Sequence, residues 1–342
     1  MSTPSRERPW LLLDDRSAYG PHTTGWERVA RAIRDLMATR PGVRTLGRAY
    51  AHPSARVMAD WLVLPRAARG VALAHTLSFP PTPALRRAAG RTLFTVHDLT
   101  WWRYPELSSR LGRLYYRRVA AAAIADCDLL VPTETVRAEV IAELGVTPDR
   151  VTAVPWGVTP IADVAPAKRP RPYVLALGTR EPRKNLAILV EAYRRSGLSG
   201  THDLVLAGRR GWGPDDPPGV VVVDAPTDEH LGALLRGAAA LASPSLYEGF
   251  GLPLLEAFSV GRPVVCSDIP VFREVTAGLA EYADPRDPDG FAAALVAVAR
   301  DGRHAPAKAL VAHAATYTWS RAAAELLALY ARLVPSAPGV GQ

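Results

Sequence analysis

The sequence predicts an α/β protein built from two doubly wound, Rossmann-like domains, each with a parallel sheet between layers of helices. Two observations support this prediction. Short apolar segments alternate with longer amphipathic segments along nearly all of the 342 residues, and the alternation stops once, at residues 161–172, before it resumes. Buried parallel strands are short apolar runs, and the helices between them carry one apolar stripe. A chain of this length can form two domains with separate cores.

Residues 1–160 form the first predicted domain. Its strands are short apolar runs bounded by polar or turn residues, and its helices repeat apolar side chains at the helical spacing. We expect the strands at residues 9–15, 71–75, 91–98, 128–132 and 151–155. We expect the helices at residues 25–37, 106–127 and 134–144. This order is typical of a parallel sheet that is covered on both faces.

Residues 161–172 form the predicted linker. The segment is rich in proline, which removes amide donors and blocks helix continuation, so we expect extended chain there. The alternation then repeats in the second predicted domain, residues 173–318. Its strands are expected at residues 173–178, 203–208, 220–224, 240–245 and 262–268, and its helices at residues 183–196, 229–238 and 252–261. A last helix is predicted at residues 319–333.

The position of the functional residues follows from this fold class. Doubly wound sheets bind ligands beyond the carboxyl ends of their strands. Two such domains whose carboxyl edges face each other enclose a cleft, and we expect the ligand in it. The loops of interest are therefore those that come just after residues 9–13, 92–97, 173–177, 203–207 and 240–244 of these strands.

The composition excludes some classes of protein. The formal net charge is +8, but 38 of the 41 basic residues are arginines, an uneven usage that resembles a coding bias. No run of five or six like charges occurs, so the sequence does not predict nucleic-acid binding. A positive surface still suits a ligand that carries phosphate, or an anionic membrane face.

The cysteines and the hydropathy indicate a cellular compartment. Cys127 and Cys266 are too few for a disulfide framework or a CxxC metal site, which favours a reducing environment. The apolar run near the N-terminus, residues 11–13, is too short for a signal peptide, and no stretch approaches the ~18 apolar residues of a membrane span. We therefore expect a cytoplasmic protein, with peripheral contact to the inner face of a membrane left open.

Two glutamates separated by seven residues, Glu248 and Glu256, form the most informative motif. Gly249 and Gly251 between them allow close backbone approach, and a helix that begins near Leu252 presents amide groups that suit an anion. Glu256, one turn into that helix, would suit a ribose diol, and Glu248 would reach another part of the same ligand. The alternative is a plain turn followed by a glutamate that faces solvent.

A second motif, residues 178–185, follows a predicted strand and opens a helix. Arg183 and Lys184 are expected in the first helical turn, where positive charge is unfavourable. A phosphate in front of that turn would compensate for this charge. Lys184 is also one of only three lysines in the chain. The alternative is that both side chains project into solvent, with Glu181 as their partner.

Three weaker candidates are histidines and a loop. His97 ends an apolar strand at the predicted cleft, where it could bind a sugar hydroxyl or act in acid–base chemistry, although a lone histidine is more often structural. His75, at the end of another strand, is the next candidate. The glycine-bounded loop at residues 19–25 lies between the first strand and the first helix, where ligand loops are common. A plain connection is nearly as good an interpretation.

The sequence lacks the motifs of several common enzyme classes and, on our interpretation, of a metal site. The Asp-x-Asp triplets at residues 126–128 and 287–289 match a metal-binding pattern, but we interpret the first as a helix end and the second as a helix cap. The sequence contains no HExxH, Walker loop, GxSxG elbow or complete GxGxxG motif. The missing glycine fingerprint argues against a dinucleotide-dependent oxidoreductase.

Taken together, these motifs resemble those of the retaining glycosyltransferases of family four (GT4), and bacterial mannosyltransferases among them. The resemblance covers most of the chain and rests on VHD at residues 96–98, GTREPRKN at 178–185, and the segments 204–213 and 244–270. It implies a GT-B fold whose last helix, residues 319–334, crosses back onto the first domain. It also implies transfer of a sugar from a nucleotide diphosphate sugar to an acceptor hydroxyl, with retention and without a metal. GDP-mannose is the favoured donor.

The resemblance also implies roles for individual residues. Glu256 would bind the ribose, Glu248 the donor sugar, and Arg183 and Lys184 the diphosphate, while His97 would lie over the donor sugar. The other donor-binding residues would be Phe250, Gly251, Leu252, Gly178, Thr179 and Arg180, and the loop near acceptor and diphosphate would contain Thr24 and Gly25.

One departure from the family pattern concerns Arg180. Many members have Gly-Arg directly after the strand, and that arginine binds phosphate. Here Thr179 follows Gly178, and Arg180 comes one position later. We therefore expect Arg183 and Lys184 to carry more of the phosphate binding.

Two other functions stay open on this reasoning. One is a nucleotide-sugar epimerase or hydrolase of the same fold, which needs no separate acceptor. The other is a protein without catalytic activity that binds a nucleotide or a glycan. The acceptor itself is not specified by the sequence and could be a glycan, a lipid-linked glycan or a small molecule.

Overall fold

The computed structural model describes residues 9–19, 25–47, 53–107, 110–211 and 217–335. These residues contain twelve strands and thirteen α-helices. The strands are β1 (Leu11–Asp14), β2 (Val43–Thr45), β3 (Leu73–Thr76), β4 (Arg91–Thr95), β5 (Asp128–Val131), β6 (Val151–Ala153), β7 (Tyr173–Leu177), β8 (Asp203–Ala207), β9 (Val221–Val223), β10 (Ala240–Ser243), β11 (Val264–Ser267) and β12 (Glu281–Ala283). The helices are α1 (Gly25–Met37), α2 (Pro53–Ala67), α3 (Pro83–Ala88), α4 (Thr100–Arg103), α5 (Arg110–Asp126), α6 (Glu134–Leu144), α7 (Leu186–Arg195), α8 (Asp228–Gly237), α9 (Leu252–Ser259), α10 (Pro270–Thr276), α11 (Pro288–Leu295), α12 (Ala307–Ala314) and α13 (Trp319–Leu333).

The strands form two six-stranded sheets, in the orders β2-β1-β3-β4-β5-β6 and β12-β11-β10-β7-β8-β9. Every pairing between these strands is parallel. Parallel strands require crossover connections, and helices supply them in both sheets. The predicted fold class, two doubly wound α/β sheets with flanking helices, is therefore confirmed.

The chain divides into two compact units. The first contains the residues up to Trp156 together with those from Trp319 onward, and the second contains Gly157–Thr318. Helix α13 thus belongs to the first unit. Residues 161–172 have no helix or strand and belong to the second unit. There, the amide of Ala167 donates to the carbonyl of Ala233 in α8 at 2.8 Å.

The core of the second unit holds β7 in place. Val174 and Ala176 of β7 are buried against Leu189 of α7 and Phe291 of α11. In α7, Leu189, Val190 and Tyr193 are buried while the arginines at its end face outward, which is the amphipathic pattern of a helix that covers a sheet. This packing fixes where the loop after β7 begins.

The strand order locates the edge where a ligand is expected. In the second sheet the order reverses between β7 and β10, because the chain first builds β7, β8 and β9 to one side and then β10, β11 and β12 to the other. In open α/β sheets the crevice beyond the carboxyl ends of two such strands is the usual binding site. The loops after β7 and β10 are therefore the ones to examine.

Candidate active site

A short 3₁₀ turn, Pro182–Lys184, follows β7 and carries Arg183 and Lys184. Helix α7 begins only at Leu186, after Asn185 with a φ of 54°. The expectation that Arg183 and Lys184 occupy the first turn of a helix at residues 183–196 is therefore wrong. The left-handed backbone of Asn185 separates the turn from the helix, and asparagine tolerates this conformation better than most residues.

Asn185 also ties this turn to its neighbours. Its side-chain amide donates to the carbonyl of Pro244, in the loop after β10, at 3.1 Å, and to the carbonyl of Pro285 at 2.7 Å. The amide of Leu246 donates in turn to the carbonyl of Arg183 at 2.9 Å. The loops after β7 and β10 are thus joined by backbone and side-chain hydrogen bonds at the point where the strand order reverses.

Four charged side chains from these loops form one cluster, which we call the charged cluster: Glu181, Arg183, Lys184 and Glu248. Lys184 Nζ lies 2.5 Å from Glu248 Oε1, and Arg183 Nη1 lies 2.8 Å from Glu248 Oε2. Arg183 Nη2 lies 2.6 Å from Glu181 Oε1. All four side chains are 11–17% exposed. The alternative is therefore wrong in that Arg183 and Lys184 do not project into solvent, although Glu181 is a partner of Arg183 as it expected.

The electrostatics of Glu248 follow from this arrangement. Burial by itself raises the pKa of a carboxyl group, but the charges and hydrogen bonds of Arg183 and Lys184 outweigh it and lower the pKa of Glu248 to about 2. The hydroxyl of Ser245 also donates to Glu248 Oε1 at 2.8 Å. Glu248 is therefore ionised at neutral pH, and it is the carboxylate that contacts both cations.

Helix α9 positions the second glutamate of the motif. The helix begins at Leu252, and Glu256 lies one turn later with 1% of its surface exposed. The alternative that Glu256 is a solvated helix position is wrong. Gly251, at the start of the helix, has a φ of 102°, and a Cβ there would lie 3.0 Å from a ring carbon of Phe272. Phe250 is buried and packs edge-on against Tyr317.

The loops after β7 and β8 approach each other closely. A Cβ on Gly208 would lie 2.1 Å from the carbonyl oxygen of Gly178, and a Cβ on Gly178 would lie 3.3 Å from Lys184 Cε. Thr179 comes next, and Arg180 turns to the loop after β8, where its Nη1 donates to the carbonyl of Gly208 at 2.6 Å. Arg180 Nη2 also pairs with Asp224, at 3.1 Å. Arg180 is therefore engaged by a different loop from Arg183 and Lys184.

His97 lies in the first unit, after β4. Its Nε2 lies 2.7 Å from the carbonyl oxygen of Leu77, so Nε2 carries a proton and donates it. Burial lowers the pKa of His97, although the Leu77 carbonyl and Asp98 oppose this, so the neutral ring is favoured. The ring centroid of His97 lies 6.0 Å from that of Trp156. Of the predicted loop residues, Gly25 is exposed and begins α1, whereas Thr24 lies outside the described residues.

The remaining candidates have structural partners. His75 is fully buried, with Nδ1 2.7 Å from the hydroxyl of Tyr330 and Nε2 2.7 Å from that of Thr95. In the first Asp-x-Asp triplet, the two aspartates pair with Arg86 and Arg91. In the second, Asp287 accepts from the amide of Asp289 and caps α11. Over the part of the chain that the structure describes, no three His, Cys, Asp or Glu side chains are grouped to hold a metal ion.

Sequence reasoning missed two residues of this region. Ser245 is 1% exposed and holds Glu248, and its position three residues before that glutamate was the available signal. Gly208 permits the contact with Gly178, and its position directly after β8 was the corresponding signal. Both follow a strand end in the second sheet, so a systematic search of these loops would have found them.

Comparison with known families identifies both halves of the chain. A model described as "Glycosyl transferases group 1" matches residues 171–301, and a model described as "Glycosyltransferase Family 4" matches residues 23–160. O-antigen chain mannosyltransferase B of Escherichia coli is 34% identical over 174 residues, which are 46% of this chain and 45% of that protein. The chain spans about half the length of the curated relatives it matches.

Two solved structures share the fold across nearly the whole chain. Sucrose-phosphate synthase from Thermosynechococcus elongatus superposes with a TM-score of 0.74 at 18% identity and covers 96% of this chain and 100% of that one. Anabaena HepE in complex with UDP and glucose gives a TM-score of 0.70 at 14% identity, with 94% and 99% covered. The fold is thus GT-B, and since a glycosyltransferase model matches each half, the chain belongs to the glycosyltransferase family, as its motifs indicated.

Proposed function

We propose that this protein is a retaining glycosyltransferase that moves a sugar, mannose from GDP-mannose by preference, to an acceptor hydroxyl. The observation that carries the proposal is the position of Arg183 and Lys184. Both lie beyond the carboxyl end of β7, at the reversal of strand order, where open α/β sheets bind ligands. Two cations at this place suit the diphosphate of a nucleotide sugar.

The neighbouring residues suit the rest of such a donor. Glu256, buried one turn into α9, offers a carboxylate for the two hydroxyls of a ribose. Gly178 and Gly251 keep side chains away from the backbone where phosphate and sugar would approach. The likeness in fold to Anabaena HepE, which was solved with UDP and glucose, supports a nucleotide-bearing donor.

The proposed reaction depends on charge that develops at the diphosphate. When the bond from the sugar to the phosphate oxygen breaks, negative charge grows on the leaving group, and Arg183 and Lys184 stabilise it more in the transition state than in the ground state. The acceptor hydroxyl attacks the face that the leaving group vacates and gives its proton to a phosphate oxygen. The configuration at the sugar carbon is therefore retained.

We propose that the two side-chain cations replace the divalent ion that other transferases use. Arg183 and Lys184 both lie within 2.8 Å of Glu248, so the two cationic groups are close enough together to act on one diphosphate. His97, whose Nε2 proton is donated to the carbonyl of Leu77, would accept a hydrogen bond from a sugar hydroxyl at Nδ1 rather than hold a metal. Mannose as the transferred sugar is supported by the E. coli mannosyltransferase relative.

We further propose peripheral contact of the first unit with an anionic membrane. The solvent face of α2 carries several exposed apolar side chains, among them Met58, Trp61 and Leu62, which are 44–59% exposed. Arg66 lies on the exposed surface of the same helix, and its single acidic residue, Asp60, is buried in an ion pair with Arg16. Exposed apolar residues beside arginine suit a negatively charged lipid surface. In the described part of the chain, no helix is long and apolar enough to cross a bilayer.

The proposed function is tested by donor binding and product analysis. We expect GDP-mannose and GDP to bind to the purified protein in calorimetry, and mannose to be transferred to a hydroxyl of a glycan acceptor panel with retention, seen in the anomeric NMR signals. Turnover should persist in EDTA. Lys184→Met should lower turnover by at least about tenfold, the equivalent of ~1.4 kcal/mol of transition-state stabilisation, whereas Lys308→Met, at an exposed position of α12, should not.

Three results would contradict particular parts of this proposal. Failure of GDP-, UDP- and dTDP-sugars to bind would contradict the function as a whole. Release of free sugar or an epimer, with no glycoside formed, would instead support the hydrolase or epimerase. A requirement for added manganese or magnesium after dialysis would contradict the metal-independent mechanism.

A further inference from the structure

We propose that Glu248 is an internal counter-ion of the diphosphate site: together with Glu181 it neutralises Arg183 and Lys184 while no donor is bound, and a nucleoside diphosphate binds by displacing Glu248. This inference rests on the proposed function, because it takes the same two cations as the groups that hold the diphosphate. According to this inference, Glu248 weakens the binding of a nucleoside diphosphate to the site.

The charge of the site is the first argument. The charged cluster contains two carboxylates and two cations, so their formal charges cancel. A diphosphate carries at least two negative charges and needs a positive field to leave water. The cluster presents this field only if one of its carboxylates withdraws from the cations. Each of the four side chains is at most 17% exposed, so water screens their interactions little.

The geometry identifies Glu248 as the carboxylate that withdraws. Both of its oxygens face the cations, with Oε1 2.5 Å from Lys184 Nζ and Oε2 2.8 Å from Arg183 Nη1. A phosphate oxygen that approaches the two cations together meets this carboxylate. Glu181, by contrast, contacts Arg183 through the other guanidinium nitrogen, Nη2, at 2.6 Å. The ion pair between Glu181 and Arg183 Nη2 can therefore persist while Arg183 Nη1 exchanges Glu248 for a phosphate oxygen.

The two cations differ in how firmly they are held. Arg183 is fixed by Glu181 and by the carbonyl of Tyr247, to which its Nη1 donates at 2.7 Å. Lys184 is a point charge on a flexible stem, and its Cε lies beside Gly178, where a side chain would crowd it. When Glu248 is displaced from both cations, Lys184 is therefore the one that can adjust its position to the phosphate. Ser245, whose hydroxyl donates to Glu248 Oε1, stays as a partner of the displaced carboxylate.

Glu248→Gln tests this inference, because it removes the negative charge and keeps the shape of the side chain and the acceptor for Ser245. We expect the Kd for GDP, measured by calorimetry, to fall by about tenfold, since the nucleotide no longer competes with an ion pair. The Kd for guanosine, which has no phosphate, should not change. Glu281→Gln is the matched control, because it removes an exposed carboxylate of β12 with the same change of net charge. It should leave both Kd values unchanged.

Each result separates the two proposals. GDP that binds the wild-type protein but binds Glu248→Gln equally or more weakly overturns the displacement of Glu248 and leaves the proposed function standing. Equal tightening in Glu281→Gln also overturns it, because the effect would then belong to the overall charge. Failure of the wild-type protein to bind GDP, UDP or dTDP contradicts the proposed function itself.

A second variant covers the case in which Glu248→Gln does not fold, as judged by circular dichroism. Glu248→Asp keeps the charge and shortens the side chain by one methylene group, so it weakens the contact with Lys184. We expect it to tighten GDP binding in the same direction and by less. Unchanged or weaker binding of GDP to this variant, with guanosine binding unaltered, overturns the inference.

Discussion

Gly208 shows how a single missing side chain permits the arrangement of the site. Its φ is 144°, a region that residues with a Cβ rarely adopt, and a Cβ there would lie 2.1 Å from the carbonyl oxygen of Gly178. Gly178 in turn lies against the side chain of Lys184. Any displacement of the loop after β8 is therefore passed to the cation that we propose for the diphosphate.

We expect Gly208→Ala to lower the free energy of unfolding by about 1–3 kcal/mol, from backbone strain and the backbone contact together, and to weaken GDP binding. Gly219→Ala is the matched control, since Gly219 has a φ of 82° and a Cβ there would meet nothing within 4 Å. It should lose stability from strain alone and bind GDP like the wild type. Urea unfolding and calorimetry measure both effects, and GDP binding that is equally weakened in both variants would contradict the argument.

The same residues show how far the sequence could predict the site. Residue type and position after a strand were enough to select Lys184 and Glu248. That they contact each other could not be predicted, because they are 64 residues apart and their meeting depends on β7 lying beside β10. The helical turn expected at Arg183 failed for a local reason, since nothing in the pattern indicated the left-handed backbone at Asn185.

At the scale of the elements, the sequence predicted ten of the twelve strands of the described residues, including the partly exposed edge strands β6 and β9, and missed the edge strands β2 and β12. Strands β7 and β8 are continuous apolar runs and were predicted within one residue. Strands β2 and β12, at the edges of their sheets, have partly exposed residues and no apolar run. An edge strand can still be recognised when it carries an apolar run, as β9 does, but β2 and β12 offer no such signal.

Helix α2 was missed for a different reason. Its apolar residues do not all face the core, since Met58, Trp61 and Leu62 are exposed, and Pro65 lies within the helix. The pattern therefore lacks the single apolar stripe that predicts a helix against a sheet. The same feature motivates the proposed contact with a membrane.

We expect the triple variant Met58→Ser, Trp61→Ser and Leu62→Ser to reduce flotation of the protein with vesicles of anionic phospholipid, and to leave GDP binding unchanged. Membrane binding should weaken because the serine side chains do not bury apolar surface in the lipid headgroup region. Val311→Ser is the control, since Val311 is 42% exposed on α12 in the second unit. Flotation of the triple variant at the wild-type level would remove α2 from the proposal.

At the scale of the whole molecule, each unit has a buried group whose pKa lies below its ordinary value. In the first unit, burial, with a smaller contribution from the charge of His97, lowers the pKa of His75 from 6.5 to about 3. In the second unit, burial by itself would raise the pKa of Glu248, but the two cations of the charged cluster outweigh it and lower this pKa from 4.5 to about 2. Both units therefore lose stability in acid, but over different ranges of pH.

The direction of each effect follows from proton uptake by the unfolded chain. Below pH 6.5 unfolded His75 binds a proton that the folded protein excludes, so the free energy of unfolding falls as the pH falls, by ~1.4 kcal/mol per pH unit. Glu248 has the same effect only below pH 4.5, where the unfolded carboxyl group becomes protonated. His97 acts in the same direction as His75, whereas the raised pKa of Asp15 acts in the opposite direction.

We therefore expect the first unit to weaken between pH 6.5 and pH 5, before the ion pairs of Glu248 are affected. Tryptophan fluorescence reports this selectively, because seven of the eight tryptophans lie in residues 1–156 and 319–342. His75→Gln removes the titrating group and keeps polar atoms for Tyr330 and Thr95. Its unfolding free energy, followed by fluorescence in urea, should depend less on pH than that of the wild type, by ~1.4 kcal/mol per unit. Since His97 and Asp15 titrate in both proteins, their contributions cancel in this comparison, and equal slopes would show that His75 is not buried in its neutral form.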